Sequence, residues 1–433
     1  MTLSILISAL TCLLMILGVL LVPYVRLWRF KIYSYWVVAA LGALTLMLLG
    51  QAEWGRVARA LIADTAINPL KILVLFISMT ILSIFLDELG FFSFLAARML
   101  RHAGNSQLRL FLYLYLMVSV LTVFTSNDII ILSFTPFICY FAKNARIDPI
   151  PYLAAEFVAA NTWSMALVIG NPTNIYLATA GGVQFVEYLQ VMLLPTLASG
   201  AVAFFLLWLL FRRKLSEPVQ PQTVEEHIED KLDLTVGLVH LAVCTVLLAV
   251  SSYIGLEMWY VAAAAAGSLF LCVGLISTVR PSALKVLGRC ARRAPWQLVP
   301  FVVSMFVISI VLTDQGVTAA IGRFLGSEAT LWRYGFSSFI AANLVNNIPM
   351  SVLMSSVMEG TAPLVHLKAL YATVVGSNVG AFLTPIGALA GIMWSSILRR
   401  HQLRFGYLDF LRMGVCVAIP TLCTALLVLE VLL

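Results

Sequence analysis

Charge is what this sequence has least of. Asp, Glu, Lys and Arg make up 11% of its 433 residues, and 61% of the chain is hydrophobic. A soluble domain carries roughly twice that charge fraction, so a soluble enzyme or solvated binding module is excluded. The seven cysteines (Cys12, Cys139, Cys244, Cys272, Cys290, Cys416 and Cys423) are scattered and form no CxxC. Most fall in apolar stretches, where a free thiol behaves as a small hydrophobe, so neither a disulfide framework nor a zinc site is implied. None of the five histidines has metal-ligand spacing, and no metal site or other cofactor is expected. There is no nucleophile–base pair or metal triad of the kind an intramembrane hydrolase needs, so the chain reads as a non-enzyme. No Walker motif is present, and any ATP-driven action would need a separate ATPase subunit. The alternating short strands of a β-barrel are missing as well.

What is present are apolar stretches near the ~20 residues that cross a bilayer. They recur at about 1–23, 33–50, 67–87, 187–211, 234–252, 256–277, 296–313 and 406–432. Two more, 152–179 and 366–397, are interrupted, and the segments 108–142 and 334–358 are broken near their middles. The first thirty residues are too long and wrongly flanked for a cleaved signal peptide and read as the first span. This is an all-α polytopic membrane protein in contact with lipid throughout. The net charge of +7 sits in short basic clusters between apolar runs, which marks topology rather than nucleic-acid binding.

The chain reads as a duplication. "LDELG" (86–90) is answered by "LTDQG" (312–316), "SND" (126–128) by "VNN" (345–347), and "AANTWSM" (159–165) by "GSNVGAF" (376–382). "NPTN" (171–174) falls near "TPIG" (384–387), and "FVEYLQV" (185–191) matches "YLDFLRM" (407–413). The boundaries expected are N-terminal spans 1–66, a first repeat 67–214, a cytoplasmic linker 215–233, connecting spans 234–290 and a second repeat 291–433. Basic clusters at 26–31, 98–109, 143–146, 212–214, 280–293 and 399–404 mark the cytoplasmic face, with both termini outside. Each repeat then crosses three times and dips in once, so the copies are inverted. Arg56, Arg59, Arg323 and Arg333 fall on the outer face and fit this tracing poorly. Inverted repeats with interrupted helices are how many secondary transporters are built, with substrate bound at the breaks near the midplane.

The breaks name the candidate site. A segment that enters and leaves on one face places "TSND" at a re-entrant tip, where irregular backbone survives only if buried in protein or lining a wet cavity. Thr125, Ser126, Asn127 and Asp128 can there bind a cation or hydrogen-bond an oxyanion, aided by the start of the following helix. The second tip offers Asn346 and Asn347 before Pro349, with Asn347 in the place of Asp128. Gly170 and Pro172 break the first interrupted span beside Asn171, Thr173 and Asn174. Pro385 and Gly387 break the second beside Ser377, Asn378 and Thr384. Asp128 is the leading proton- or cation-coupling residue, and Glu156 the second intramembrane carboxylate, either in a buried ion pair or coupling. Asp87, Glu88 and Asp314, at helix ends, are expected to be solvated or capping, and Glu187 and Asp409 interfacial.

At "FLDELGFFSFLAARMLRHAGN", "FTSNDIIILSFTPF", "RRAPWQLVPFVVSMFVI", "LVNNIPMSVL" and "LTPIGALAGIMW" the chain resembles the ion transporter superfamily. Within it, the chain is similar to bacterial arsenite/antimonite efflux permeases. The resemblance covers nearly the whole chain in the same order. It implies a two-repeat fold in the bacterial inner membrane, with hairpin tips and broken helices forming the site for a small molecule or ion; such folds are often homodimeric. "IGNPTNIYLA" departs from the arsenite pumps toward anion- and citrate-type relatives. The reading that follows is proton-motive export of arsenite or antimonite. Its alternatives are Na⁺- or H⁺-coupled transport of a small carboxylate or sulfate, and Na⁺/H⁺ exchange.

Overall fold

The computed structural model describes residues 2–22, 24–27, 30–65, 68–217, 228, 230–278, 280–403 and 405–433. Most of the expected linker, 218–227 and 229, lies outside the described residues, as does Arg404 of the last basic cluster. The first half runs α1 (Thr2–Leu21), α2 (Ser34–Leu48), α3 (Trp54–Ile62), α4 (Pro69–Glu88), α5 (Phe91–Ala103), α6 (Gln107–Phe124), α7 (Asn127–Ala145), α8 (Ile150–Trp163), α9 (Pro172–Ala180) and α10 (Phe185–Leu215). The second half repeats that order as α11 (Lys231–Ser251), α12 (Met258–Ser277), α13 (Pro281–Arg293), α14 (Leu298–Asp314), α15 (Val317–Leu325), α16 (Thr330–Val345), α17 (Asn347–Met358), α18 (Pro363–Gly380), α19 (Leu389–Arg400) and α20 (Tyr407–Leu432).

The two halves interlock. Helices α6–α7 and α16–α17 are the re-entrant hairpins; α8–α9 and α18–α19 are the broken spans. Each hairpin's return helix packs on the second part of the other repeat's broken span, α7 on α19 and α17 on α9. The correspondence also reaches beyond the expected repeats. The pair α1–α2 packs through α2 on α14, and α11–α12 packs through α12 on α4. Each helix pair thus braces the opposite repeat.

Among the described residues, seven stretches are long and apolar enough to span, including Pro69–Glu88, Phe185–Leu215 and Tyr407–Leu432. Four helices of 9 to 13 residues, α3, α5, α13 and α15, are amphipathic and too short to cross a bilayer alone. A two-stranded hairpin, Tyr24–Leu27 with Phe30–Tyr33, joins α1 to α2, so the chain is not purely helical.

The repeated "LDELG"/"LTDQG" motif has a structural cause. Gly90 and Gly316 sit at φ 77° and 73°, the left-handed conformation that glycine adopts without steric cost, and each turns the chain into a surface helix. The acids before them correct an expectation. Asp87 and Glu88 are mostly buried and bound by α13: Arg293 Nη2 lies 2.6 Å from Asp87 Oδ2 and Nη1 2.5 Å from Glu88 Oε1. Arg289 also pairs with Glu88. On the opposite face Arg56 of α3 pairs with Asp314 at 2.7 Å. Two of the amphipathic helices, α13 and α3, are therefore pinned to the other repeat by the same kind of ion pair. Three of the arginines that fit the topology poorly have acidic partners on their own face: Arg56 in this pair, Arg59 with Glu53 at 4.0 Å, and Arg333 with Glu328 at 3.7 Å. Glu187 and Asp409 cap α10 and α20 in matching fashion, accepting from the backbone N–H of Gln184 at 3.2 Å and of Gly406 at 3.0 Å.

Candidate functional site

The first broken span loses its helix after Trp163, passes two 3₁₀ turns (Ser164–Ala166 and Val168–Gly170), and restarts at Pro172. Each break residue has a local job. A Cβ on Gly170 would stand 2.2 Å from the Ser164 carbonyl oxygen, so no side chain fits. Asn171 is extended and caps α9, its Oδ1 accepting from the Thr173 amide at 3.1 Å. Pro172 occupies the first helical position, where its missing N–H is not needed.

The two broken spans meet at Asn378. Its Oδ1 accepts from Ser164 Oγ at 2.8 Å and from Asn171 Nδ2 at 2.9 Å, while its Nδ2 donates to Asn174 Oδ1 at 2.7 Å and to the Val374 carbonyl at 2.8 Å. Every donor and acceptor of this fully buried amide is used. Asn174 in turn donates to the Ser164 and Leu167 carbonyls that the break sets free. The single proton of the Ser164 hydroxyl is shared between Asn378 Oδ1 and the Asn161 carbonyl, 2.8 Å from each, and Asn161 Oδ1 in turn accepts from Asn127 Nδ2 at 3.1 Å. An unbroken run of buried polar groups thus joins the first hairpin tip to both broken spans.

The second tip is tied more locally. Asn347 N donates to the Gly387 carbonyl at 3.0 Å and Asn346 Nδ2 to that of Ile386 at 3.1 Å. Thr384 Oγ1 donates to Asn343 Oδ1 at 2.6 Å. A Cβ on Gly387 would stand 2.6 Å from the Gly380 carbonyl oxygen, the second-repeat equivalent of the Gly170 contact. This tip is one residue shorter: only Asn346 separates α16 from α17, whereas Thr125 and Ser126 separate α6 from α7. Counted from the start of each return helix, Asn127 therefore matches Asn347, and Asp128 matches Ile348 rather than Asn347. The carboxylate is opposed by a hydrocarbon.

Three buried oxygens among the residues singled out in the sequence close no hydrogen bond: Ser126 Oγ, Asn127 Oδ1 and Ser377 Oγ. Buried polar atoms normally find partners, and two of these sit at the first tip, the third beside the Asn378 hub. Asp128 points elsewhere. It lines a cavity of about 590 Å³ bounded by Tyr33, Tyr35, Arg292, Gln297, Met393 and Arg400. That vestibule opens between the β-hairpin, the start of α14 and the end of α19, on the face that carries the basic clusters. The matching place on the other face, between α4, the end of α9 and the α11–α12 turn, holds only about 230 Å³ and is lined by Lys71, Thr179, Gln184, Glu257 and Trp259. Lys71 bridges Asp64 and Glu257 there, reaching Glu257 Oε2 at 2.7 Å.

Of the residues expected in the site, Thr125 stands apart: its hydroxyl donates back to the Leu121 carbonyl at 2.7 Å. Glu156 lies away from the network against Thr135 and has no ion-pair partner among the described residues, so a buried ion pair is not what holds it. Asn161, Ser164 and Asn343 belong to the site although sequence reasoning did not select them. Asn161 could have been found, since the repeat alignment sets it opposite Asn378.

The comparisons with known proteins fit this architecture. The family described as citrate transporter, CitMHS, matches residues 13–374. The chain is 28% identical over 368 residues to the arsenical pump membrane protein of Escherichia coli (strain K12), covering 81% of this chain and 84% of that one. It is 23% identical over 381 residues to the 46 kDa membrane protein of Mycobacterium leprae (strain TN), covering 82% and 84%. In fold it is similar to the crystal structure of the Alcanivorax borkumensis YdaH transporter, with a TM-score of 0.57 and 16% identity over 99% of this chain and 97% of that. An inverted-repeat membrane protein with two hairpins and two broken spans, matched over most of its length, this chain belongs to the citrate transporter family, CitMHS, and is a multi-pass membrane transporter.

Proposed function

We propose that the protein exports arsenite or antimonite at the expense of the proton-motive force, binding its substrate between the hairpin tips and the broken spans. The observation that carries this reading is the chemistry of the first tip. Among the site residues, the buried oxygens left without partners are the Ser126 hydroxyl and the Asn127 amide oxygen at that tip and the Ser377 hydroxyl beside Asn378, and no Lys or Arg among the described residues belongs to the network. Such a lining suits a small neutral polyhydroxy solute such as arsenous acid better than a multiply charged anion, whose burial would call for a cation. The arsenical pump relative supports the same substrate class. On the basic, cytoplasmic face the vestibule leads to Asp128, which we assign the coupling role: a carboxylate at the floor of a wet cavity can exchange a proton or hold a cation while the tip moves.

A second reading has its own support. Arg292 and Arg400 line the vestibule exposed and without ion pairs among the described residues, and the family carries the description citrate transporter. Na⁺- or H⁺-coupled movement of a small carboxylate would use those arginines at the mouth and a cation at Asp128. The two readings separate in cells lacking their own arsenic pumps, which would express wild type or Asp128→Asn. Arsenite export requires lower retained arsenite with wild type and vector-level retention with the variant at equal expression. Retention equal to vector for both removes the metalloid reading and directs attention to citrate flux in proteoliposomes.

A further inference from the structure

Glu156 is fully buried in the middle of α8, and the groups around it define its state. Thr135 Oγ1 of α7 lies 2.9 and 3.1 Å from its two carboxyl oxygens and 2.6 Å from the Ile131 carbonyl. A hydroxyl has a single proton. Here that proton goes back to the Ile131 carbonyl, the shorter contact and the usual habit of a mid-helix threonine. The contact with Glu156 is then a hydrogen bond only if the carboxyl brings the proton. Among the described residues no cation pairs with this carboxyl. The helices packed around it carry their charges toward their ends: Arg109 on α6, Asp128 and Lys143 on α7, Glu187, Arg212, Arg213 and Lys214 on α10, His366 and Lys368 on α18, Arg399 and Arg400 on α19, and Asp409, Arg412 and Glu430 on α20. The titratable neighbour facing it is the Cys139 thiol, one turn beyond Thr135.

One donor stands ready for the other state. The indole N–H of Trp394, on α19 of the second repeat, is buried facing the same carboxyl, near it but short of full hydrogen-bond geometry. The ring is held by Phe157 at 5.2 Å and Phe410 at 5.6 Å between centroids. Packing alone does not ask for an acid here. By the Asn161–Asn378 correspondence the mate of Glu156 is Thr373, equally buried and satisfied by Ser338 Oγ at 3.2 Å.

We propose that Glu156 is a proton-binding site distinct from the vestibule carboxylate, switching its partner with its charge. With its proton bound it donates to Thr135 and ties α8 to the first hairpin. On losing that proton to a water or basic group exposed later in the cycle, it accepts from Trp394 and ties α8 to the second repeat instead. This rests on the transport reading for its purpose but not for its test. Infrared spectra of wild type in lipid should contain the carbonyl band of a water-shielded carboxylic acid at neutral pH. That band should disappear in Glu156→Gln and shift in frequency in Thr135→Val. In proteoliposomes tested with arsenite, antimonite and citrate, Glu156→Gln should fold normally and lose flux driven by a pH gradient, and Trp394→Phe should slow it at least several-fold. A band that survives Glu156→Gln, or is absent from wild type, overturns the neutral acid. A lost band with undiminished gradient-driven flux overturns the coupling role and leaves a structural tie. If wild type moves none of the three solutes, the substrate proposal fails separately, and titration of the band decides. Loss of the band between mildly acid and mildly alkaline pH upholds the site; a band constant across that range overturns it.

Discussion

Replacing Asn378 by alanine tests whether the two broken spans are held together by one amide. The side chain makes four hydrogen bonds, and the substitution removes them all. The losses are unequal. Ser164 Oγ still reaches the Asn161 carbonyl at 2.8 Å, and the Val374 carbonyl keeps its place in the helix. Asn171 Nδ2 and Asn174 Oδ1 do not recover, because both residues are almost wholly buried. Each buried group left unpaired costs about 1–3 kcal/mol, so Asn378→Ala should destabilise by about 2–6 kcal/mol. Against a net folding stability of about 5–15 kcal/mol for a typical soluble domain, that is a large loss. Asn161→Ala is the internal control: it strands Asn127 Nδ2 alone among the described residues and should cost about 1–3 kcal/mol. Thermal unfolding of detergent-solubilised protein, followed by tryptophan fluorescence, reads both. Asn378→Asp keeps the two acceptor bonds and turns a carboxylate toward Asn174 Oδ1, so it should rank with alanine. The reasoning is refuted if Asn378→Ala unfolds with wild type, or if Asn161→Ala is the more damaging of the two.

Gly170→Ala and Gly387→Ala should each lower the unfolding temperature, because the added Cβ falls 2.2 and 2.6 Å from backbone oxygens and overpacking of this kind costs about 1–3 kcal/mol. Gly267→Ala, with open space around it on α12, should leave that temperature unchanged or raise it. Removing Arg293 strands Asp87 and part of Glu88, both mostly buried, and should cost about 1–3 kcal/mol in the same assay. Arg56→Ala, whose arginine is 54% exposed, should cost less than about 1 kcal/mol; equal losses would contradict the burial argument. Asp128→Asn should abolish coupled transport with expression intact, and near-normal, pH-independent transport in that variant would remove Asp128 from the mechanism.

Much of this arrangement was legible in the sequence because the membrane restricts what a polar residue can do. An amide at bilayer depth must be buried and bonded, so Asn127, Asn171, Asn174 and Asn378 announced themselves by chemistry alone; Asn378 bonds Asn171 and Asn174 directly, and Asn127 joins them through Asn161. The hairpins were readable from breaks midway along segments too long for one crossing and too short for two. What escaped was of two kinds. The amphipathic helices α3, α5, α13 and α15 are too short and too mixed in polarity to register as apolar runs, and the acids that anchor α13 looked solvated because their arginine partners lie more than 200 residues away in sequence. Hydrogen-bond register was the other. Asp128 was set opposite Asn347 because the letters align that way, and only the shorter second tip moves its mate to Ile348.

That shift sharpens where the two repeats differ. Their frames match helix for helix, down to the glycine turns and the caps at Glu187 and Asp409. Their intramembrane carboxylates do not match. Asp128 and Glu156 both belong to the first repeat, and their mates are Ile348 and Thr373. Two symmetric frames can exchange shapes at little cost, since each conformation of one is available to the other in inverted form. Coupling needs the opposite property: a charge change must favour one arrangement over its mirror image, because a ligand that interacts equally with both states shifts neither. On the proposed coupling roles of Asp128 and Glu156, placing both acids in one repeat would supply that bias. Moving one across, by pairing Ile348→Asp with Asp128→Ile, should preserve the fold while transferring the pH-sensitive step to the other face. If the exchanged protein kept the wild-type dependence on cytoplasmic pH, the asymmetry would have to reside elsewhere than in these carboxylates.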